Sequence, residues 1–401
     1  MEPKIRFKGF EGEWKETIWG NHIVSTHTGT NLLGEVSNKG IPLLKMGNIQ
    51  RGFFDLDKME YLAANQNPPV NCIANYGDFF YNTRNTLELV GKGATWMKKD
   101  GIYAFNSNIA ICKLDGIDTF FFNYLYNTLH SIKQVQARAK GTTSVAAVYM
   151  RDLKSIELTL PHISEQQAIA SYFTSLDSQI SASTSRLTSL KQMKAASLQA
   201  MFPQEGETVP KIRFKGFEGE WKKVKADSIF KTFNEKNRPD LPVLSATQDR
   251  GMVTRESIGY NIFHDTSNEA TYKHILPGQF VIHLRSFQGG FAHSEIEGIA
   301  SPAYTIMDFE NKDLYHDYYW RYVFMSKEFI KRLELITYGI RDGRSISYDE
   351  FKEMSFLVPS KEEQIKIASY LKNLDRQIFL QSQRLEKLKQ IKSACLDKMF
   401  V

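Results

Sequence analysis

The sequence predicts an α+β fold in which two similar mixed α/β domains are joined and spaced by two long antiparallel coiled-coil helices. Two internal repeats and one helical periodicity predict it. The string Pro3-Lys4-Ile5-Arg6-Phe7-Lys8-Gly9-Phe10-Glu11-Gly12-Glu13-Trp14-Lys15 recurs without change from Pro210 to Lys222, a shift of 207 residues. Residues 161–202 match 359–400 at a shift of 198, and Ile169-Ala170-Ser171-Tyr172 there answers Ile367-Ala368-Ser369-Tyr370. Self-similarity at this scale marks a duplicated structural unit. Because the shifts are 207 and 198, the stretch between the two boxes is about nine residues longer in the first copy. The chain reads as a pseudo-two-fold internal repeat. Residues 1–155 form a first domain, 156–209 a central helix and linker, 210–353 a second domain and 354–401 a C-terminal helix.

The helices follow from spacing. Ile169, Phe173, Leu176, Ile180, Leu187, Leu190 and Met201 fall on alternating steps of four and three, and Ile367, Leu371, Leu374, Ile378, Leu385, Leu388 and Met399 occupy the same grid. A sustained 3.5-residue period is the seam of a coiled coil. An amphipathic helix packed on its own domain is the alternative. Ser183 and Gln381 interrupt the seam at equivalent places, as do Lys194 and Lys392, and such polar residues fix register and partner number. Pro161 and Pro359 lie just ahead, with Ser164 and Glu362 near the helix starts. Each helix is expected to run roughly 35 to 40 residues, on the order of 55 Å at about 1.5 Å per residue.

The middles share a framework and differ in polar residues. Tyr76-Gly77-Asp78-Phe79-Phe80-Tyr81-Asn82-Thr83-Arg84 aligns with Pro277-Gly278-Gln279-Phe280-Val281-Ile282-His283-Leu284-Arg285, a turn followed by a β-rich run. Gly47-Asn48-Ile49 and Gly52 answer Ala246-Thr247-Gln248 and Gly251. The aromatics belong to cores: Trp14 and Trp221 sit in the repeated box, while Tyr315, Tyr318, Tyr319, Trp320 and Tyr322 answer Phe120, Phe121, Phe122, Tyr124 and Tyr126 on a helix that packs against a sheet.

At 401 residues there is room for two or three domains. Lys and Arg number 51 against 45 Asp and Glu, a net charge of +6 and a pI of about 8.9, which suits a nucleic-acid partner without establishing one. Cys72, Cys112 and Cys395 make neither a zinc spacing nor a disulfide framework. No run approaches 18 apolar residues and no signal segment opens the chain, so a cytoplasmic protein without membrane contact is expected.

The whole chain resembles the specificity subunit of type I restriction-modification systems. The resemblance rests on Pro161, Glu165-Gln166 and Leu176-Asp177, repeated as Pro359, Glu363-Gln364 and Leu374-Asp375, together with the duplicated Gly-Phe-Glu-Gly-Glu-Trp. It implies two target-recognition domains, each reading one half of a bipartite asymmetric site in double-stranded DNA. It further implies two modification subunits that methylate adenine with S-adenosylmethionine, and restriction subunits that add an ATP- and Mg-dependent translocating nuclease. This chain itself would bind no cofactor or metal and catalyse nothing.

The residues agree with a non-catalytic chain. Asn67-Pro68-Pro69-Val70 matches the loop by which amino-methyltransferases hold a flipped base, but lacks its aromatic, and reads as a stiff turn. Gly91-Lys92-Gly93 has the wrong spacing for a phosphate-cradling ATPase loop and reads as a hairpin or DNA-facing loop. Glu350-Phe351-Lys352 with Asp342 and Asp349 is a common tripeptide rather than a nuclease centre. His264, His274, His283 and His293 form no ligand grid and are read as solvated or core residues.

Base reading needs hydrogen-bonding side chains at groove edges, with Lys and Arg on phosphates. In the first domain the candidates are Lys45, Asn48, Arg51, Thr83, Arg84, Asn85, Lys92, Lys140, Thr142, Thr143 and Ser144. In the second they are Thr247, Gln248, Arg250, Arg285, Ser286, Arg341 and Arg344. The loop from Tyr338 to Ser345 stands where Lys140 to Ser144 stands in the first copy.

Overall fold

The computed structural model describes residues 2–36, 39–142, 144–247, 250–258, 266–283, 290–336 and 347–401. The chain divides into two compact units, residues 1–184 with 384–401, and residues 185–383.

In the first unit an antiparallel sheet is ordered Ile23–Thr28, Ile109–Leu114, Phe79–Asn82, Gly93–Thr95. Successive side chains of a strand point to opposite faces, and both faces of Phe79–Asn82 are covered. Phe79 and Tyr81 enter a core with Trp19, Phe121, Phe122 and Tyr126, while Phe80 enters another with Ile109, Ile111 and Trp96. The helix Thr119–Tyr126 closes the first core, and the Asp118 carboxylate caps it by accepting from the Phe121 N–H at 2.9 Å. A second four-stranded sheet, Gly34–Glu35, Glu60–Leu62, Pro42–Leu44 and Ala104–Phe105, extends this unit.

The second unit repeats the main sheet in the order Phe230–Phe233, Thr305–Phe309, Phe280–Ile282, Phe291–His293. The turn aligned from sequence is the same turn. Gly77 and Gly278 have φ of +85° and +88°, a region that favours glycine, and their N–H groups donate to Trp96 O at 2.9 Å and Ser294 O at 2.8 Å. The buried residue that follows differs in chemistry but not in task. Asp78 accepts from Asn75 N–H at 3.0 Å and pairs with Lys113; Gln279 accepts from Leu276 N–H at 2.8 Å and donates to Asp308 at 3.0 Å.

Ile163–Ala200 and Lys361–Met399 are single helices of 38 and 39 residues. Within the first unit the start of the central helix runs antiparallel to the end of the C-terminal one, with Tyr172 Oη and Cys395 Sγ 3.5 Å apart and Lys392 paired with Asp177 at 2.5 Å. Within the second unit Ser197 meets Tyr370 at 3.2 Å and Lys194 pairs with Asp375 at 2.5 Å. The seam lysines thus find carboxylates that also accept from the hydroxyls of Tyr124 and Tyr322, at 2.9 and 2.7 Å. Packing on the own domain occurs as well. Ile169 and Phe173 share a core with Phe121, Met399 and Phe400, and Ile367 and Leu371 share one with Tyr319, Met201 and Phe202. Trp14 and Trp221 are core residues, as read from the sequence.

Each repeated box is fastened to these helices. Ile5 N–H donates to Lys398 O at 3.0 Å and Ile212 N–H to Ala200 O at 2.9 Å. The Arg6 guanidinium grips Glu165 with bonds of 2.8 and 2.7 Å, and Arg213 grips Glu363 with two of 2.7 Å. These pairs hold both guanidinium groups above their ordinary pKa. The neighbouring glutamines are buried too. Gln166 donates to Pro161 O and accepts from Asp118 N–H, both at 3.0 Å, and Gln364 bonds Pro359 O and His316 N–H at 3.1 and 2.9 Å. The Glu-Gln doublet therefore ties each helix start to its domain.

Glu363 is 1 % exposed, and an unpaired carboxylate there is costly. Arg213→Met is expected to destabilise the second unit by about 3 kcal/mol or more, read as faster amide exchange in the strand Ser355–Val358. Arg213→Lys should recover only part of this, since lysine lacks the planar fork.

Candidate nucleic-acid interface

The predicted residues of the first domain gather in two places. A small sheet ordered Lys140–Gly141, Ala146–Ala147, Arg84–Asn85 sets the tip of one hairpin beside Arg84 and Asn85. Gly141 has φ +136°, and a Cβ there would lie 2.3 Å from Val145 O, so the turn requires glycine. Lys140, Thr142 and Ser144 are exposed. Thr142 N–H donates to Val145 O at 2.8 Å, and Lys140 pairs with Asp152 at 2.9 Å, a bond that holds the Asp152 carboxyl below its usual range. Thr83 Oγ1 donates to Asn108 O at 2.9 Å, and Asn85 Oδ1 accepts from Thr86 N–H at 2.9 Å. Arg84 is exposed, and its guanidinium has no hydrogen-bond partner among the described residues. A cleft of about 420 Å³ runs past His27, Thr83, Arg84, Asn108 and Tyr149.

Tyr149 and Arg151 extend this surface and escaped the sequence reading, which stopped at Ser144. Tyr149 is 45 % exposed, and the Arg151 guanidinium lies 5.2 Å from its ring centroid. A basic residue two positions after an aromatic, directly behind the polar loop, was the available signal.

The second place joins the turn around Arg51 to the loop around Lys92. Gly52 N–H donates to Gly93 O at 2.9 Å, Arg51 Nη2 to Glu88 O at 3.0 Å, and Lys92 Nζ to Gln50 Oε1 at 2.6 Å. Burial lowers the Arg51 pKa; burial first and then the Arg51 charge lower that of Lys92. Lys45 is paired with Glu60. Asn48 is not placed as expected of a base-reading side chain. It is buried, its Oδ1 accepts from Lys45 N–H at 2.8 Å, and its Nδ2 donates to Asp55 O and Lys58 O at 2.9 and 3.0 Å. Its amide organises the turn and has no face left for DNA.

In the second domain Thr247 Oγ1 donates to Gly251 O at 2.7 Å and accepts from Arg250 N–H at 3.2 Å, closing a turn that leaves Arg250 exposed. Thr143, Gln248, Arg285, Ser286, Arg341 and Arg344 lie outside the described residues, as do the rest of the 338–345 loop, Asp342 and His264.

The remaining sequence features take structural places. Pro69 leads into a 3-10 turn, Val70–Cys72. Phe351 of the Glu-Phe-Lys tripeptide is a core residue, and Lys352 pairs with Asp349 at 2.7 Å. His274 is buried between Glu235 and Glu297, at 3.0 and 2.9 Å, and His293 is buried against Asp317 at 2.9 Å. Among the described residues no group of three or more His, Cys, Asp or Glu is placed to hold a metal, and no helix is long and apolar enough to cross a membrane.

Fold and surface together define a duplicated α+β protein whose two copies keep one framework and vary the polar loops on it. The chain belongs to the type I restriction modification DNA specificity domain family, whose model matches residues 33–192 and again 218–390. Among solved structures it is similar to the S subunit of a type I restriction-modification system from M. genitalium, with 14 % identity, a TM-score of 0.64, and coverage of 100 % of this chain and 99 % of that one. It is also similar to the HsdS subunit from Thermoanaerobacter tengcongensis, with 15 % identity, a TM-score of 0.44, and coverage of 98 % and 97 %. No curated protein sequence matches the chain closely.

Asn48→Ala should remove the side-chain partner of three backbone groups, Lys45 N–H, Asp55 O and Lys58 O, and cost about 1 kcal/mol or more. Thermal unfolding checks this. The DNA sequence recognised by the folded fraction should not change.

Proposed function

We propose that the chain reads a bipartite asymmetric DNA site, one half with each domain, and brings that address to partner subunits that act on the DNA. One observation carries the reading. Within a DNA specificity family, the two copies keep the same strand order, turn glycines and helix anchors while differing at most polar loop positions. Duplication that preserves scaffold and varies loops suits two half-sites of different sequence.

The recognition domains are residues 1–155 and 210–353, followed by the helical segments 156–209 and 354–401. Arg84, Asn85, Thr83 and the Lys140–Ser144 loop, with Tyr149 and Arg151 beside them, form the contact surface of the first domain, supported by their convergence around one exposed sheet. Arg51 and Lys92 extend it, and Lys45 lies at its margin. Thr247, Gln248, Arg250, Arg285, Ser286, Arg341 and Arg344 serve the second. Asn48 drops out of the set. Two modification subunits supply adenine methylation with S-adenosylmethionine, and restriction subunits supply ATP- and Mg-dependent translocation and cleavage. The chain itself performs no chemistry and works in the cytoplasm.

Sequencing of DNA methylation in cells that hold the partner methyltransferase, with and without this chain, tests the proposal. N6-methyladenine should appear at one bipartite motif only when the chain is present. An unchanged methylome with an active partner overturns the reading. In the reconstituted complex, affinity for the motif should fall by a factor on the order of a thousand or more between about 50 and 200 mM salt, as counterion release at 6 to 10 phosphates requires. Arg84→Ala should weaken binding about tenfold or more and alter preference in one half-site only.

A further inference from the structure

Lys45, Lys113 and Lys140 of the first domain have carboxylate partners, Glu60, Asp78 and Asp152 respectively. Arg51 and Lys92 do not. They are half-buried, lie on adjacent turns joined by the bond from Gly52 N–H to Gly93 O at 2.9 Å, and are held only by neutral acceptors, Glu88 O and Gln50 Oε1. The acid that senses both, Glu88, is exposed and forms an ion pair with neither. The phenol of Tyr126, the other ionisable group acting on Arg51, is fully buried and donates to Gly91 O at 2.9 Å.

The loop beneath the two cations is closely packed. Gly91 has φ +70°, and a Cβ there would lie 2.3 Å from the Val135 side chain, so the loop is clamped on the helix Leu129–Ala137. Gln136 donates to the same Glu88 carbonyl at 3.3 Å. Lys92 spends one of its three donors and Arg51 at least one of its five, leaving the rest for a ligand. Neither of these partly desolvated like charges forms an ion pair among the described residues, and the exposed Glu88 carboxylate acts on both only at a distance. An approaching anion would favour the charged form of both.

We propose that Arg51 and Lys92 together form a binding site for a single backbone phosphate of the DNA, fixing the register of the first domain rather than reading a base. This rests on the DNA-reading function proposed above and assigns the chemistry of two of its residues. A base-reading arginine presents its guanidinium edge-on to guanine, whereas a pair of fixed cations sharing one place matches the concentrated charge of a phosphate.

The test uses the complex of this chain with its partner methyltransferase and a duplex carrying the motif found by methylation sequencing. Arg51→Gln/Lys92→Gln should weaken cognate and non-cognate duplexes by a similar factor, about tenfold or more. It should reduce the slope of log affinity against log salt by about one, as loss of one phosphate contact requires, and leave the motif unchanged. Methylphosphonate substitution along the duplex should reveal one position that weakens the wild-type complex and has no further effect on the double variant. Lys92→Gln alone, a substitution at a half-exposed site, should show the same pattern at smaller size and serves should the double variant not fold. Relaxed preference at one base pair with an unchanged salt slope, or unaltered affinity, overturns the assignment. Absence of salt-dependent binding by the wild-type complex is seen before any variant is made, and overturns the DNA-reading function together with it.

Discussion

The grip of an arginine on a buried glutamate at the start of each long helix is the constraint on which the rest of the structure depends. Arg6 and Glu165 are 159 residues apart in sequence and Arg213 and Glu363 are 150 apart, yet each pair closes its unit. A carboxylate that is 1 % exposed is tolerated only with its counter-charge and hydrogen bonds in place. The same box donates a backbone N–H to the last turn of the other helix at Lys398 or Ala200. Arg6 also donates to Gly12 O, and Arg213 to Gly219 O, both at 2.6 Å. Ile5, Arg6, Gly12 and Trp14 of the box, with Ile212, Arg213, Gly219 and Trp221 of its repeat, are therefore bound to a geometry that both copies share.

The long helices carry a second layer of the same logic. A lysine in a hydrophobic seam is destabilising unless its ammonium finds a partner. Lys392 finds Asp177 and Lys194 finds Asp375. Each carboxylate also accepts the hydroxyl of a domain tyrosine, Tyr124 or Tyr322, whose ring lies 5.7 or 5.8 Å from the lysine nitrogen. Burial and the aspartate push both phenols well above their ordinary pKa. Helix register and domain seating are thus coupled through one polar contact in each unit. Sliding the helices by a turn would strand three polar groups at once.

Within that frame the middles are free to change. Asp78 with Lys113 and Gln279 with Asp308 satisfy the same backbone turn by different means. The requirement lies in the bond to the turn, and the partner further out is exchangeable. Surface loops face no such requirement, so Thr142 and Ser144 can vary at little cost in stability. A scaffold anchored at its box and helix start can carry different contact residues without repacking its core.

The duplication, the two helices and their near-40-residue length were legible in the sequence, as was the burial of Trp14, Trp221 and the Phe121 and Trp320 helices. These are patterns along the chain, a repeat, a 3.5-residue period and a cluster of aromatics, and local chemistry suffices to produce them. Asn48 was misjudged for the opposite reason. Its residue type suits adenine, but its bonds to the backbone of Lys45, Asp55 and Lys58, at 2.8, 2.9 and 3.0 Å, exist only once residues 45 to 58 have folded around it. Tyr149 and Arg151 lie beside the proposed contact surface because strand pairing carries Ala147 to Arg84. Sequence alone determined that there are two units and where each begins its helix, since periodicity and repetition are one-dimensional. Which polar groups are spent and which remain for DNA was decided only by the tertiary structure, because a side chain's partners come from segments far apart in the chain.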